Sequence, residues 1–185
     1  MAIKTFTTGE VLTASDTNTY LANSGLVYVT STTFSGSSTV QVSNCFTSTY
    51  DHYKIILSAY GSANSFAKLQ LTLSGTPATS SYYRTGFYAY SAGLANYSGG
   101  PEAQIQPISA WNTGTGSGMA SSLEILNPAK ANKTAFDGFS LDPIAPTIYK
   151  IFSMHDTETA YDGFKLFPNS GTMTGTVTVY GYRKA

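Results

Sequence analysis

In the segment KLQLTLSG, Leu69, Leu71 and Leu73 alternate with Gln70, Thr72 and Ser74. A period of two suits only a chain whose successive side chains point to opposite sides, which is an extended strand with one buried and one wet face. HYKIILSAY repeats the pattern with Tyr53, Ile55, Leu57 and Ala59, and GTVTVYGYR sets Val177 and Val179 against Thr178, Tyr180 and Tyr182. LVYVTSTTF, VQVSNCF, YYRTGFYAY, EAQIQPISAW, MASSLEIL, KTAFDGFSL, TIYKIFSM and GFKLF read as further strands, separated by Gly, Pro, Asn and Asp clusters. About ten evenly spaced strands sit uneasily in one open sheet. With no long helical window, they predict an all-β fold: an antiparallel β-sandwich, jelly-roll-like, rather than a parallel α/β arrangement. No internal repeat of roughly 20 to 50 residues is visible, so a propeller or solenoid is not expected.

The first 25 residues differ from the rest. Thr13 and Ser15 are candidate N-caps, and Asp16 completes a Thr-x-x-Asp pattern, which predicts a short helix from about Ser15 to Asn23. Its apolar content, Tyr20, Leu21 and Ala22, is too slight to bury a face alone. It therefore needs something to dock on, either its own domain or a neighbouring subunit. The expected organisation is an arm over residues 1–25 and one sandwich domain over 26–185.

Charged residues make up only 11% of the chain, and ten basic side chains balance ten acidic ones. A chain with no net charge and no basic block lacks the electrostatic footprint of a nucleic-acid binder. So little surface charge favours self-association, and a homo-oligomer is expected. Cys45 is the single cysteine, which excludes an internal disulfide framework. The opening MAIKTFTTGEVL has no basic region followed by an apolar one, and no stretch approaches the roughly 18 apolar residues that span a bilayer. Neither secretion nor membrane insertion is expected, and the chain reads as soluble and made in a reducing cytoplasm.

Catalytic chemistry finds little material. His52 beside Asp51 and His155 beside Asp156 read as surface pairs at strand ends rather than catalytic dyads. No nucleophile motif is present, and Cys45 in SNCF has no basic neighbour, which suits a small buried residue. Asp156, Glu158 and Asp162 form the one acidic cluster. It reads as a solvated loop, with a structural cation or a glycosidase-type acid/base pair as the alternatives. No cofactor, metal site or catalytic residue is assigned, and a non-enzymatic protein is expected.

The aromatic distribution is more suggestive. The stretch SYYRTGFYAYSAGLANYSGG gathers Tyr82, Tyr83, Phe87, Tyr88, Tyr90 and Tyr97 around Arg84. Tyrosine offers large contact area and a polar tip at low entropic cost. Tyr82, Arg84, Tyr88, Tyr90 and Tyr97 are candidate glycan- or receptor-binding residues, with core or subunit interface as the alternative. Trp111, followed by NTGTGSG, joins them as a candidate sugar-stacking platform, although a buried Trp is as common. Gly114, Gly116 and Gly118 lack the Lys of a phosphate-binding loop.

The two ends of the chain carry a family resemblance. FTTGEVLTASDTNTYLANSGLVYV resembles the N-terminal signature of tail-fibre and minor tail proteins of tailed bacteriophages, with Phe6, Gly9, Glu10, Val11, Leu12, Thr13, Ala14, Asp16, Asn18, Tyr20 and Leu21 on its positions. TYDHYKIILS is similar to that family's first core strand. YDGFKLFPNSGTMTGTVTVYGYRKA resembles its C-terminal hairpin through Ser170, Gly171, Thr172, Gly175, Val179, Tyr180, Gly181, Tyr182 and Arg183. The matches cover about a third of the chain, and 59–161 follows no such motif.

The resemblance implies a virion protein assembled in the host cytoplasm and commonly homotrimeric. Phe6, Glu10, Val11, Leu12, Asp16, Asn18, Tyr20 and Leu21 would then fix it to baseplate, tail or capsid proteins. Its sandwich would face outward, as a short tail fibre or receptor-binding subunit meeting a bacterial surface polysaccharide. A capsid decoration protein or baseplate adaptor is the alternative. No collagen-like, coiled-coil or β-helical shaft separates arm from head, so a short knob is expected rather than a long fibre.

Overall fold

The computed structural model describes residues 7–16, 25–91, 93–111, 119–142 and 147–184. An eight-stranded sheet runs in the order β1 (Leu26–Ser37), β13 (Met173–Tyr182), β3 (His52–Gly61), β9 (Met119–Leu126), β10 (Thr134–Asp142), β11 (Thr147–His155), β6 (Tyr82–Tyr90) and β7 (Gly93–Glu102). Against it lies a shorter sheet of β2 (Val40–Val42), β12 (Gly163–Pro168) and β4 (Ser65–Leu73), with β5 (Thr76–Pro77) and β8 (Ile105–Trp111) both pairing with β4. Every described pairing is antiparallel, so the expected antiparallel β-sandwich is the fold.

The alternation in HYKIILSAY and GTVTVYGYR sets the first half of the core. Ile55 lies opposite Val179 and Leu57 opposite Val177, and all four are at most 2% exposed. Across the sandwich, Leu69 pairs with Leu166 and Leu71 with Phe164, all fully buried. Burying each such side chain contributes about 1.5 to 3 kcal/mol. Tyr53 adds a polar anchor: its hydroxyl donates to the Thr47 carbonyl at 2.9 Å and accepts from the Thr47 N–H at 2.7 Å.

KLQLTLSG departs from its expected wet face. Gln70 and Thr72 are buried as well, while Leu73 at the strand end is exposed. The Gln70 amide donates to the Ala103 carbonyl and the Gln41 amide to the Thr72 hydroxyl, at 2.9 and 3.0 Å. The segment joining β7 to β8 and the side chain of a neighbouring strand thus cover what the pattern left open.

β7 was not apparent in the sequence, because GLANYSGGPE is rich in Gly and carries no β-branched residue. It forms because its backbone pairs along β6 from Gly93 to Glu102. VQVSNCF yields a strand only to Val42, since Asn44 takes a left-handed conformation (φ 55°) that turns the chain and tucks Cys45 and Phe46 into the core.

The N-terminal helix begins one residue earlier than expected, and only its turn Ala14–Asp16 is described. The Thr-x-x-Asp reading is realised there: the Thr13 hydroxyl donates to Asp16 at 2.6 Å and accepts the Asp16 N–H at 3.1 Å. Phe6, Asn18, Tyr20 and Leu21 lie outside the described residues.

Candidate binding surface

The β6–β7 hairpin carries most of the candidate residues, and strand alternation divides them between two faces. Tyr82, Arg84, Gly86 and Tyr88 point toward the short sheet, opposite His155, Ser153, Ile151 and Tyr149 of β11. Tyr83, Thr85, Phe87 and Ala89 point outward, opposite Met154, Phe152, Lys150 and Ile148.

Tyr82 is 1% exposed, which corrects its reading as a surface residue. Its hydroxyl accepts the Leu71 N–H at 2.8 Å, and its ring lies 4.3 Å from that of His155. Burial pushes its phenol well above the usual tyrosine range. Trp111 is likewise corrected: it is 1% exposed and packs over Gly61, where an added Cβ would overlap the indole. Neither ring can meet a glycan.

Arg84 and Tyr97 are half-buried and committed to the hairpin. The Arg84 guanidinium pairs with Glu102 at 3.0 Å and donates to the Gln106 carbonyl at 3.1 Å, fastening β6 to β7 and to β8. Tyr97 lies across Gly86 and donates to the Lys150 carbonyl at 3.0 Å. Burial raises its pKa to about 12, against the opposing pull of Arg84. Tyr90, 43% exposed, and the half-buried Tyr88 are the candidates left without such a structural commitment. Their rings stack at 5.6 Å, and Tyr149, which the sequence reading missed, continues the cluster 5.8 Å from Tyr88.

On the outward face, a groove of about 580 Å³ runs between Tyr83, Phe152 and Met154, with Thr85, Ser98 and Gly100 beside them. A second, of about 420 Å³, continues from Phe152 toward Phe87 and Asn96. This face is apolar well beyond the grooves. Phe139, Leu141, Ile148, Phe152, Met154, Tyr83 and Leu94 are each 36–65% exposed, on β10, β11, β6 and β7. The signal was present in TIYKIFSM, which is apolar on both faces, but alternation alone does not say which face is covered.

The histidines and acids fall elsewhere. His155 is 2% exposed rather than a surface partner of Asp156, because position 155 points inward on β11. Its ring meets the Ser80 carbonyl at 3.1 Å and the Tyr161 hydroxyl at 3.4 Å, and burial lowers its pKa. Asp51 pairs with Lys130 and Lys184 at 3.0 and 2.8 Å, which hold its carboxyl below the ordinary range. Asp156 pairs with Lys133, and Asp162 accepts the Ser74 N–H at 2.7 Å. Among the described residues no three His, Cys, Asp or Glu side chains converge to hold a metal. Cys45 is buried, and desolvation raises its thiol pKa to about 12.

In the arm, the Thr7 N–H donates to Glu10 at 3.1 Å and the Glu10 N–H to the Thr7 carbonyl at 3.0 Å. This turn and the Thr13–Asp16 cap flank Val11 and Leu12, which are 79% and 49% exposed.

The chain is an antiparallel β-sandwich protein whose long sheet has a partly apolar outer face. No protein-family model matches it, and no curated protein matches it. Among solved structures it is similar to a galectin, LEC-6 of Caenorhabditis elegans, at 12% identity and a TM-score of 0.36, covering 80% of this chain and 94% of the galectin. It is also similar to a protein of unknown function from Shewanella oneidensis MR-1, at 11% identity and a TM-score of 0.40, covering 96% and 97% of the two chains.

Proposed function

We propose that this chain is a structural protein of a phage virion: a short tail-fibre or receptor-binding subunit held on the particle by its N-terminal arm. The observation that carries the reading is the arm itself. Val11 and Leu12 fall on the tail-protein signature and stand uncovered between two locally capped turns. An apolar pair held in a defined local geometry, with no buried partner among the described residues of the arm, is suited to docking on another protein. The proposal includes a homo-oligomer and assigns no catalytic role. Glycan contact falls to Tyr88 and Tyr90, with Tyr149 beside them.

Deleting residues 1–25 tests it. The sandwich folds and associates as before, but phage made with the shortened chain carries none of it. Normal incorporation sinks the attachment role. A capsid cement or baseplate adaptor is the second reading, favoured by the burial of Tyr82 and Trp111 and the structural engagement of Arg84 and Tyr97, which leave few rings for a receptor. Labelling the protein on intact particles separates the tail-tip subunit from the capsid cement, since a receptor-binding subunit sits at the tail tip and a cement protein on the capsid.

A further inference from the structure

We infer that the outer face of β10, β11, β6 and β7 is the surface through which this chain packs against a second copy of itself. The strand pattern supports it. Along β11, Ile148, Phe152 and Met154 point outward, while Ser153 and His155 on the same strand are buried. On β10, Phe139 and Leu141 point outward, while Thr134 and Ser140 are buried. The core side of these strands thus mixes Phe136 and Ile151 with several buried polar residues, while the solvent side carries large apolar side chains, which a sheet with one face in water does not display.

The area suits a partner of this size. Seven side chains of roughly 200 Å² each, 36–65% exposed, leave on the order of 600 Å² of apolar surface. That is the upper end of what a monomer usually shows, and most of the roughly 800 Å² one partner contributes to a standard interface.

The electrostatics point to a like partner. The charged side chains within the face are Lys150 and Asp137, and they pair with each other. Lys150 also lies 5.0 Å from the Phe152 ring centroid. A face neutralised from within meets its own copy without like-charge repulsion, whereas a differently charged partner would find nothing to complement. The chain as a whole has no net charge to oppose association. The face also has relief. Leu94, 65% exposed on the edge strand β7, forms a ridge, and the groove beside Tyr83 a receiving depression. Two copies can interdigitate through such features.

The inference deepens the oligomer within the proposed function but does not depend on the phage role, because it is read on the purified full chain and not on particles. Sedimentation equilibrium over the micromolar range tests it. The wild-type chain is an oligomer. Ile148→Glu and Phe152→Glu each weaken association at least about tenfold. Thr176→Glu, on the Thr-rich outer face of β13, leaves it unchanged. A wild-type monomer at every concentration overturns the inference, even one that binds a neutral oligosaccharide at this face. So does an oligomer that both variants leave intact. Should circular dichroism show either variant unfolded, Leu94→Glu carries the test from its exposed edge position, with the same expected loss and the same meaning if association is unchanged.

Discussion

The two halves of the long sheet differ on their outer faces. In β3 and β13, Ile55, Leu57, Val177 and Val179 face the core, and the outer surface of β1 and β13 is largely Thr, Ser and Tyr, with cross-strand hydroxyl pairs such as Ser31–Thr178 at 3.1 Å and Thr33–Thr176 at 3.2 Å. In β10, β11 and β6, small or polar residues (Thr134, Gly138, Ser140, Ser153 and Gly86) face inward among Phe136, Ile151 and Tyr82, and Phe139, Ile148, Phe152 and Met154 face outward. The reason is partly steric. β8 packs on β10, and small inward side chains leave room for it. The outward rings then have no counterpart within the described chain. One half is a finished protein surface; the other has the composition of a surface awaiting a partner.

The largest effect that could break this contrast is the cost of removing side chains from either face. Leu57→Ala, inward on β3 and 1% exposed, is expected to cost about 2 to 5 kcal/mol. Trp111→Ala is expected to cost about 3 to 5 kcal/mol. Phe152→Ala, measured by urea denaturation dilute enough to dissociate any oligomer, should cost less than about 1.5 kcal/mol, because its ring is 41% exposed. A Phe152→Ala penalty equal to that of Leu57→Ala in the monomer would mean that the face is covered from within the chain.

A smaller effect comes from pH. His155 faces the core on β11 among Tyr82, Tyr161 and the Ser80 carbonyl, and burial holds its folded pKa below the unfolded value near 6.5. The unfolded chain therefore binds the extra proton first. The stability that a neutral His155 contributes is present above about pH 6.5 and is lost as pH falls through that value toward the folded pKa. Melting temperature should fall on acidification through this window, and His155→Gln should flatten that part of the profile. An unchanged slope in the variant would place the acid sensitivity elsewhere, with Asp51, whose depressed pKa acts at lower pH, the next group to test.

Much of the architecture was legible because it rests on local pattern. The period-two runs in β3 and β13 identified their buried face residue by residue, and Thr13 with Asp16 identified the helix start. What was not legible depends on neighbours. Tyr82 and Tyr83 are adjacent aromatics of the same type, and only the docking of β6 beside β11 decides that the first is core and the second rims a groove. Trp111 is buried through Gly61, fifty positions away in sequence. β7 lacks strand propensity and exists by pairing alone. The apolar outer face is not legible because Ile148, Phe152 and Met154 sit in a strand whose other face is also partly apolar, and periodicity carries no label for inside.

The smallest expected effect bears on why the inward side of β10 and β11 is polar. Ser140 and Ser153 are buried, and neither hydroxyl has a partner among the described residues. If their role is to be small beneath β8, Ser140→Ala and Ser153→Ala keep that role and remove a hydroxyl whose desolvation is uncompensated, so each should be neutral or stabilising by up to about 1 kcal/mol. If a buried water bridges these oxygens, each substitution instead strands a bonded partner and costs about 1 to 3 kcal/mol. Denaturation of the two single variants and of the double variant distinguishes the cases. Independent small gains identify a steric device that lets β8 approach, whereas non-additive losses identify a hydrated polar layer inside the half of the sheet whose outer face is apolar.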